Sequence, residues 1–107
     1  IFPLKKFQER EIPIGLGSDV GAGTTLDMFQ IMKSMLYVQE KPIPTESPFY
    51  YATKGNAKIL GTNSGEIEIG KNAEFLKLDL PSKENKAKEI LNRLIFTQNY
   101  KRELILF

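Results

Sequence analysis

The sequence contains no cysteine, no histidine and no tryptophan. Without cysteine there is neither a disulfide nor a thiol nucleophile. Without histidine there is no imidazole general base. With both missing, a tight zinc site of the usual nitrogen and sulfur ligands cannot be assembled from this chain alone. Chemistry must come from carboxylates, lysine, tyrosine or serine. A dominant charge is also missing: 15 Lys+Arg against 13 Asp+Glu leave a net +2 over 107 residues. That is too little, and too evenly spread, for a phosphate-binding face, so nucleic acid is not an expected partner. No stretch approaches the roughly 18 apolar residues of a membrane span, and residues 1–10 lack the pattern of a signal peptide. A soluble cytoplasmic protein with no membrane partner is expected. No internal repeat or low-complexity segment is present.

What is present suits one globular domain, with 41% hydrophobic and 26% charged residues. The chain begins at Ile1 rather than Met and ends on Leu104-Ile105-Leu106-Phe107; both ends read as cuts through a longer protein. The patterning predicts a short surface helix over 3–10, with Phe2, Leu4 and Phe7 on its apolar side. Residues 12–17 form a brief apolar run typical of a strand buried on both faces. A glycine-punctuated turn, Ser18-Asp19-Val20-Gly21-Ala22-Gly23, leads to a helix over 26–39. Thr24 or Thr25 is its expected cap, Asp27 completes a loose capping box, and Met28, Phe29, Met32, Met35 and Leu36 make its buried stripe. A proline-rich loop then ends in Ser47 as cap and Pro48 at the first position of a helix over 49–60, closed by Gly61. Alternation on both sides of Gly70 predicts two strands within 65–80. A helix from Pro81 or Ser82 to Phe96, with Ala87, Ile90, Leu91 and Leu94 inward, and a strand over 103–107 complete the chain.

The order strand, glycine turn, helix around Gly15-Leu16-Gly17-Ser18-Asp19-Val20-Gly21 invites a dinucleotide-binding reading. A carboxylate inside that loop would repel a pyrophosphate, which argues against it. No Gly-Lys-Ser/Thr follows, so a Walker-type loop fails as well. Asp19 at the end of a strand has two readings. In a (β/α) barrel it would stand where catalytic groups stand, able to ligate a metal and take a proton from water. Equally, Asp in a glycine turn before a helix is an ordinary turn or capping residue, and spacing alone does not decide. Phe49-Tyr50-Tyr51 is expected to serve core or interface packing rather than base stacking. Lys83, Lys86 and Lys88, with Glu84 and Glu89, are expected to form the solvated side of a helix. Met28, Met32 and Met35 are expected to pack rather than bind metal.

Gly15-Leu16-Gly17-Ser18-Asp19-Val20-Gly21-Ala22-Gly23-Thr24-Thr25, followed by Met28-Phe29, resembles the last barrel strand and following helix of the guanine deaminase family within the amidohydrolase superfamily. The likeness covers nearly the whole chain. Phe2-Pro3-Leu4-Lys5-Lys6 is similar to the segment after the preceding barrel strand, and Tyr51-Ala52-Thr53-Lys54-Gly55-Asn56-Ala57 to the family's Ala-Thr-x-x-x-Ala helix. Residues 65–75 resemble the Gly-x-Ile-x-x-Gly-Lys-x-Ala-Asp pattern of its small β-sandwich domain, with Glu74 in place of the usual Asp. Leu94-Ile95-Phe96 and Tyr100-Lys101-Arg102 are similar to its closing helix and strand. The usual Gly-Asp-Asp-Arg stretch is replaced here by Thr97-Gln98-Asn99-Tyr100.

The resemblance implies an α/β fold: the terminal strand–helix portion of an amidohydrolase (β/α)8 barrel over 1–61, and part of the flanking small β-sandwich domain, with a helix, over 62–107. It implies a C-terminal fragment of a zinc enzyme that deaminates guanine hydrolytically to xanthine and ammonia. Only Asp19 carries over, as a metal ligand and catalytic residue. The family's His-x-His, two later histidines and a proton-shuttling glutamate would lie upstream of Ile1. Zinc is expected in the complete enzyme and not on the isolated chain, which should be inactive alone. Guanine is the expected small-molecule partner, and a homodimer is a candidate assembly. Alternatives are another purine or pyrimidine amidohydrolase, or a non-catalytic remnant that acts as an interaction module.

Overall fold

The computed structural model describes residues 1–19, 21, 23, 25–80, 86–97 and 100–106. Among these the helices are α1 (Leu4–Glu9), α2 (Met28–Tyr37), α3 (Glu46–Tyr50), α4 (Asn56–Leu60) and α5 (Ala87–Phe96). A π-helical turn, Tyr51–Gly55, joins α3 to α4. The strands β1 (Glu74–Asp79) and β2 (Lys101–Leu106) pair antiparallel, from Glu74 opposite Leu106 to Asp79 opposite Lys101. The fold is thus a mixed helix-and-strand one.

The core forms where α2 meets α5. Phe29 and Met32 pack with Leu91, Leu94 and Ile95, and Ile95 is fully buried. Leu78, Leu80 and Tyr100 bring the sheet and its flanks against the same cluster. The apolar stripe predicted on α2 is observed, with Phe29, Met32 and Met35 buried and Leu36 half-buried. On α5 the stripe is Leu91, Leu94 and Ile95, at the i, i+3, i+4 spacing of one helix face. Ala87, expected inward, is the first residue of α5 and is exposed.

Several other expectations are corrected. Asp27, not Thr24 or Thr25, is the N-cap of α2: its carboxylate accepts from the Phe29 N–H at 2.9 Å, while its own N–H donates to Thr25 Oγ1 at 3.0 Å. The next helix starts before its expected position, with Thr45 rather than Ser47 at its N-cap and Pro48 buried within α3. It closes as expected on Gly61, whose φ of 69° is left-handed. Of the aromatics expected in a core or an interface, Phe49 and Tyr50 lie outside the core, 42% and 41% exposed, and Tyr51 is half-buried.

The apolar run 12–17 joins no strand, and neither does the first half of 65–80. In the second case the backbone turns on itself instead. Asn72 N–H donates to Asn63 O, the Asn63 amide donates to Gly70 O, and Lys71 N–H closes on Glu68 O. Ile67 and Ile69 consequently project into solvent. The predicted start of the last helix at Pro81 or Ser82, with Lys83 and Glu84, lies outside the described residues, as does Phe107 at the end of the last strand.

Candidate functional site

Asp19 is exposed and adopts φ 53°, the left-handed region that Asp visits more readily than most residues. Its carbonyl oxygen accepts from the Gly23 N–H at 2.6 Å, closing a tight turn. The turn demands glycine at position 23, since a Cβ there would collide with the Ser18 carbonyl oxygen. Glycine at position 23 and a short polar side chain at position 19 therefore suit the close approach of Gly23 to Asp19. The exposed Asp19 carboxylate makes no hydrogen bond or ion pair with the described residues.

The loop hangs between two anchors. Upstream, the Asn56 amide holds both backbone groups of Leu16: Leu16 N–H donates to Asn56 Oδ1 at 3.0 Å, and Asn56 Nδ2 donates to Leu16 O at 2.8 Å. Downstream, the Arg102 guanidinium forks onto the Asp27 carboxylate through bonds of 3.0 and 2.7 Å, tying β2 to the start of α2. Arg102 lies 4.8 Å from the Tyr100 ring centroid and 5.3 Å from that of Phe29, so its charge rests on aromatic faces while its fork meets the carboxylate. The hydrogen bond from Arg102 holds the Asp27 carboxyl below its ordinary value, against a smaller upward push from burial. Tyr100 donates to Leu94 O at 3.0 Å, and burial raises its phenol.

Beside the turn runs an open groove of about 440 Å³ whose walls include Phe2, Leu16, Ser18, Asp19, Ile31 and Met35. Its α2 side is mostly apolar, with Ile31 and Met35 beside Ser34, and Ser18 and Asp19 add polar groups. Among the described residues no group of three or more His, Cys, Asp or Glu side chains could hold a metal ion. One unengaged carboxylate fits a single corner of a metal site and cannot make the site alone. Among the described residues lining the groove, Asp19 is the one carboxylate. The clamp by Asn56 and the fork by Arg102 were not foreseen as parts of this loop. Asn56 and Arg102 fall within segments compared with a family pattern, but nothing in their spacing pairs them with Leu16 or Asp27, 40 and 75 residues away.

The model of the Amidohydrolase family matches residues 1–105. The chain is 36% identical over 84 residues to a guanine deaminase of Escherichia coli (strain K12), covering 74% of this chain and 19% of that protein. It is 32% identical over 108 residues to a 5-methylthioadenosine/S-adenosylhomocysteine deaminase of Bacillus cereus (strain B4264), covering 92% of this chain and 25% of that protein. A 5'-deoxyadenosine deaminase of Methanosphaera stadtmanae is 32% identical over 87 residues, covering 75% and 20%. The chain thus spans between a fifth and a quarter of the length of these relatives. No solved structure matches it.

Proposed function

The chain belongs to the amidohydrolase family, and from that premise we propose that the complete protein is a metal-dependent hydrolytic deaminase of purines, with guanine as its first candidate substrate. On this reading residues 1–61 are the C-terminal end of the barrel and residues 62–107 part of the flanking sandwich. Asp19 is the contribution of this chain to the chemistry. The observation that carries the proposal is the Asp19 carboxylate, exposed on a glycine-closed turn and without a hydrogen-bond or ion-pair partner among the described residues, in a chain matched almost end to end by the family.

The family typically uses a metal, and zinc is the metal proposed. Asp19 Oδ would be one of its ligands, the others coming from elsewhere in the complete protein. The metal supplies Lewis acidity that makes water nucleophilic near neutral pH. With such a metal held, Asp19 Oδ would accept a proton from the attacking water as its oxygen bonds to the ring carbon bearing the amino group, and would give that proton up towards the departing nitrogen. The C–N bond breaks, ammonia leaves, and guanine plus water becomes xanthine plus ammonia. Apolar groove walls beside Asp19 suit the face of a flat aromatic base.

A second reading, deamination of an adenosine derivative, is favoured by the relatives with that activity in their names, one of which covers 92% of this chain. Both readings assign Asp19 the same role. The test is Asp19→Asn in the full-length protein, with kcat measured on guanine, 5'-deoxyadenosine and 5-methylthioadenosine. Loss of proton transfer alone predicts a fall of about 10²–10⁴ on the true substrate with the fold intact by circular dichroism. A turn residue would tolerate Asn, which also accepts left-handed φ. Activity within about threefold of the parent would sink the catalytic role of Asp19.

A further inference from the structure

An asparagine side-chain amide presents one acceptor and one donor side by side, the pair that a neighbouring strand offers to a residue in a sheet. Asn56 uses both on the backbone of a single residue, Leu16, whose segment pairs with no strand. The surroundings fit this contact closely. Gly15 has no room for a side chain, because a Cβ would coincide with Asn56 Oδ1. Gly55 is buried, and a Cβ on it would stand 3.2 Å from Tyr50 O and 3.3 Å from Ile14 O. The π-helical turn ends at Gly55, so the extra residue in that turn sets the angular position at which Asn56 emerges. Thr53 Oγ1 accompanies the widened turn by donating to Phe49 O at 2.7 Å.

We propose that Asn56 is a positioning residue for Asp19: by clamping Leu16 it fixes the chain entering the glycine turn, and so the place of the carboxylate. The proposal rests on the role given to Asp19 above. Only Gly17 and Ser18 separate the clamped residue from Asp19, and the Gly23–Asp19 hydrogen bond closes the turn beyond it. Without the clamp, two adjacent glycines flanking Leu16 leave the entry to the turn free to shift. A displacement of about 1 Å at a catalytic group can cost about 10²-fold in rate. The clamp engages the Leu16 backbone, so Asn56 acts through Leu16 as a positioning residue and not a catalytic one.

The experiment compares Asn56→Ala, Asp19→Asn and the double variant in the full-length protein. Its readouts are kcat, KM and the zinc retained after dialysis against a chelator, each per folded molecule by circular dichroism. The expected result for Asn56→Ala is a fall in kcat of about ten- to a hundredfold, KM within about threefold, and reduced zinc retention. Asp19→Asn should then cost much less in the Asn56→Ala background than in the parent, because the two changes disable one unit. Asn56→Gln, which keeps both the donor and the acceptor, should recover part of the loss. Should Asn56→Ala not fold, Asn56→Ser, which shortens the side chain and breaks the paired contact, replaces it. If kcat and zinc retention stay near the parent's while Asp19→Asn abolishes turnover, the positioning role is wrong and the role of Asp19 survives. If neither Asn56 variant folds, Asn56 is a structural residue and the proposal falls. If Asp19→Asn leaves kcat unchanged, the reading of Asp19 fails first and this proposal with it.

Discussion

Arg102 shows how one side chain can combine several weak contacts into a definite anchor. Its fork meets both oxygens of Asp27, its plane rests on Tyr100 and Phe29, and one of its nitrogens also donates to Tyr100 Oη at 3.0 Å. The pair is about a third exposed on the arginine side and about a fifth on the aspartate side. Solvent therefore screens it, and a net worth of about 1 kcal/mol is the appropriate scale. Because the Asp27 carboxyl is held below its ordinary 3.8, the unfolded chain binds the proton more readily than the folded one. The stability is then present above that value and is lost as pH falls through the lower folded one. The expected outcome is that the parent loses more thermal stability than Asp27→Asn when taken from about pH 6 to about pH 3. Parallel Tm curves for the two proteins over that window would show that the pair contributes nothing.

At the scale of elements, helices were easier to foresee than strands for a physical reason. A helix closes its hydrogen bonds within itself, so the spacing of Met28, Phe29, Met32, Met35 and Leu36 suffices to place α2 and its buried face. A strand needs a partner that the local pattern does not contain. The alternating Glu66-Ile67-Glu68-Ile69 and the apolar 12–17 both looked like strands, yet one closed into a loop through Asn63 and the other had Leu16 clamped by Asn56. Asp19 was legible as a candidate because residue type and turn chemistry coincide at one place. The residues that hold its loop lie far along the chain and were not. The π-helical turn was invisible for the same reason, since it accommodates a contact with Ile14 rather than a local preference. Gly55→Ala tests this directly. Alanine has the higher helix propensity by about 1 kcal/mol, but its Cβ would press on two carbonyl oxygens at 3.2 and 3.3 Å. Packing should win, the overpacking cost of about 1–3 kcal/mol less that gain leaving a net loss of up to about 2 kcal/mol in chemical denaturation. A more stable variant would mean that the helix is free to move away from the 12–17 segment.

Over the whole molecule, apolar surface is left in excess of what the core can bury. In the register of the sheet, Leu76 stands opposite Leu104, and Leu78, two residues along β1, shares its face and packs on the core. The same face continues past the core through Leu76, Leu104 and Leu106, which are 47%, 67% and 63% exposed. Ile67 and Ile69 add further exposed apolar groups. A sheet of two strands is marginal by itself and offers unpaired edges, so this surface invites association. The 107-residue chain expressed alone should therefore self-associate in a concentration-dependent way, visible by sedimentation velocity. The cause can be separated from general instability by Leu104→Lys combined with Leu106→Lys. Both positions lie outside the buried cluster around Ile95, so the double variant should keep its helical circular dichroism while its monomer fraction rises. If the parent chain is already monomeric at about 100 μM, where apolar patches ordinarily associate, the exposed sheet face is not a contact surface. If the lysines unfold the chain instead, Leu104 and Leu106 belong to the core after all.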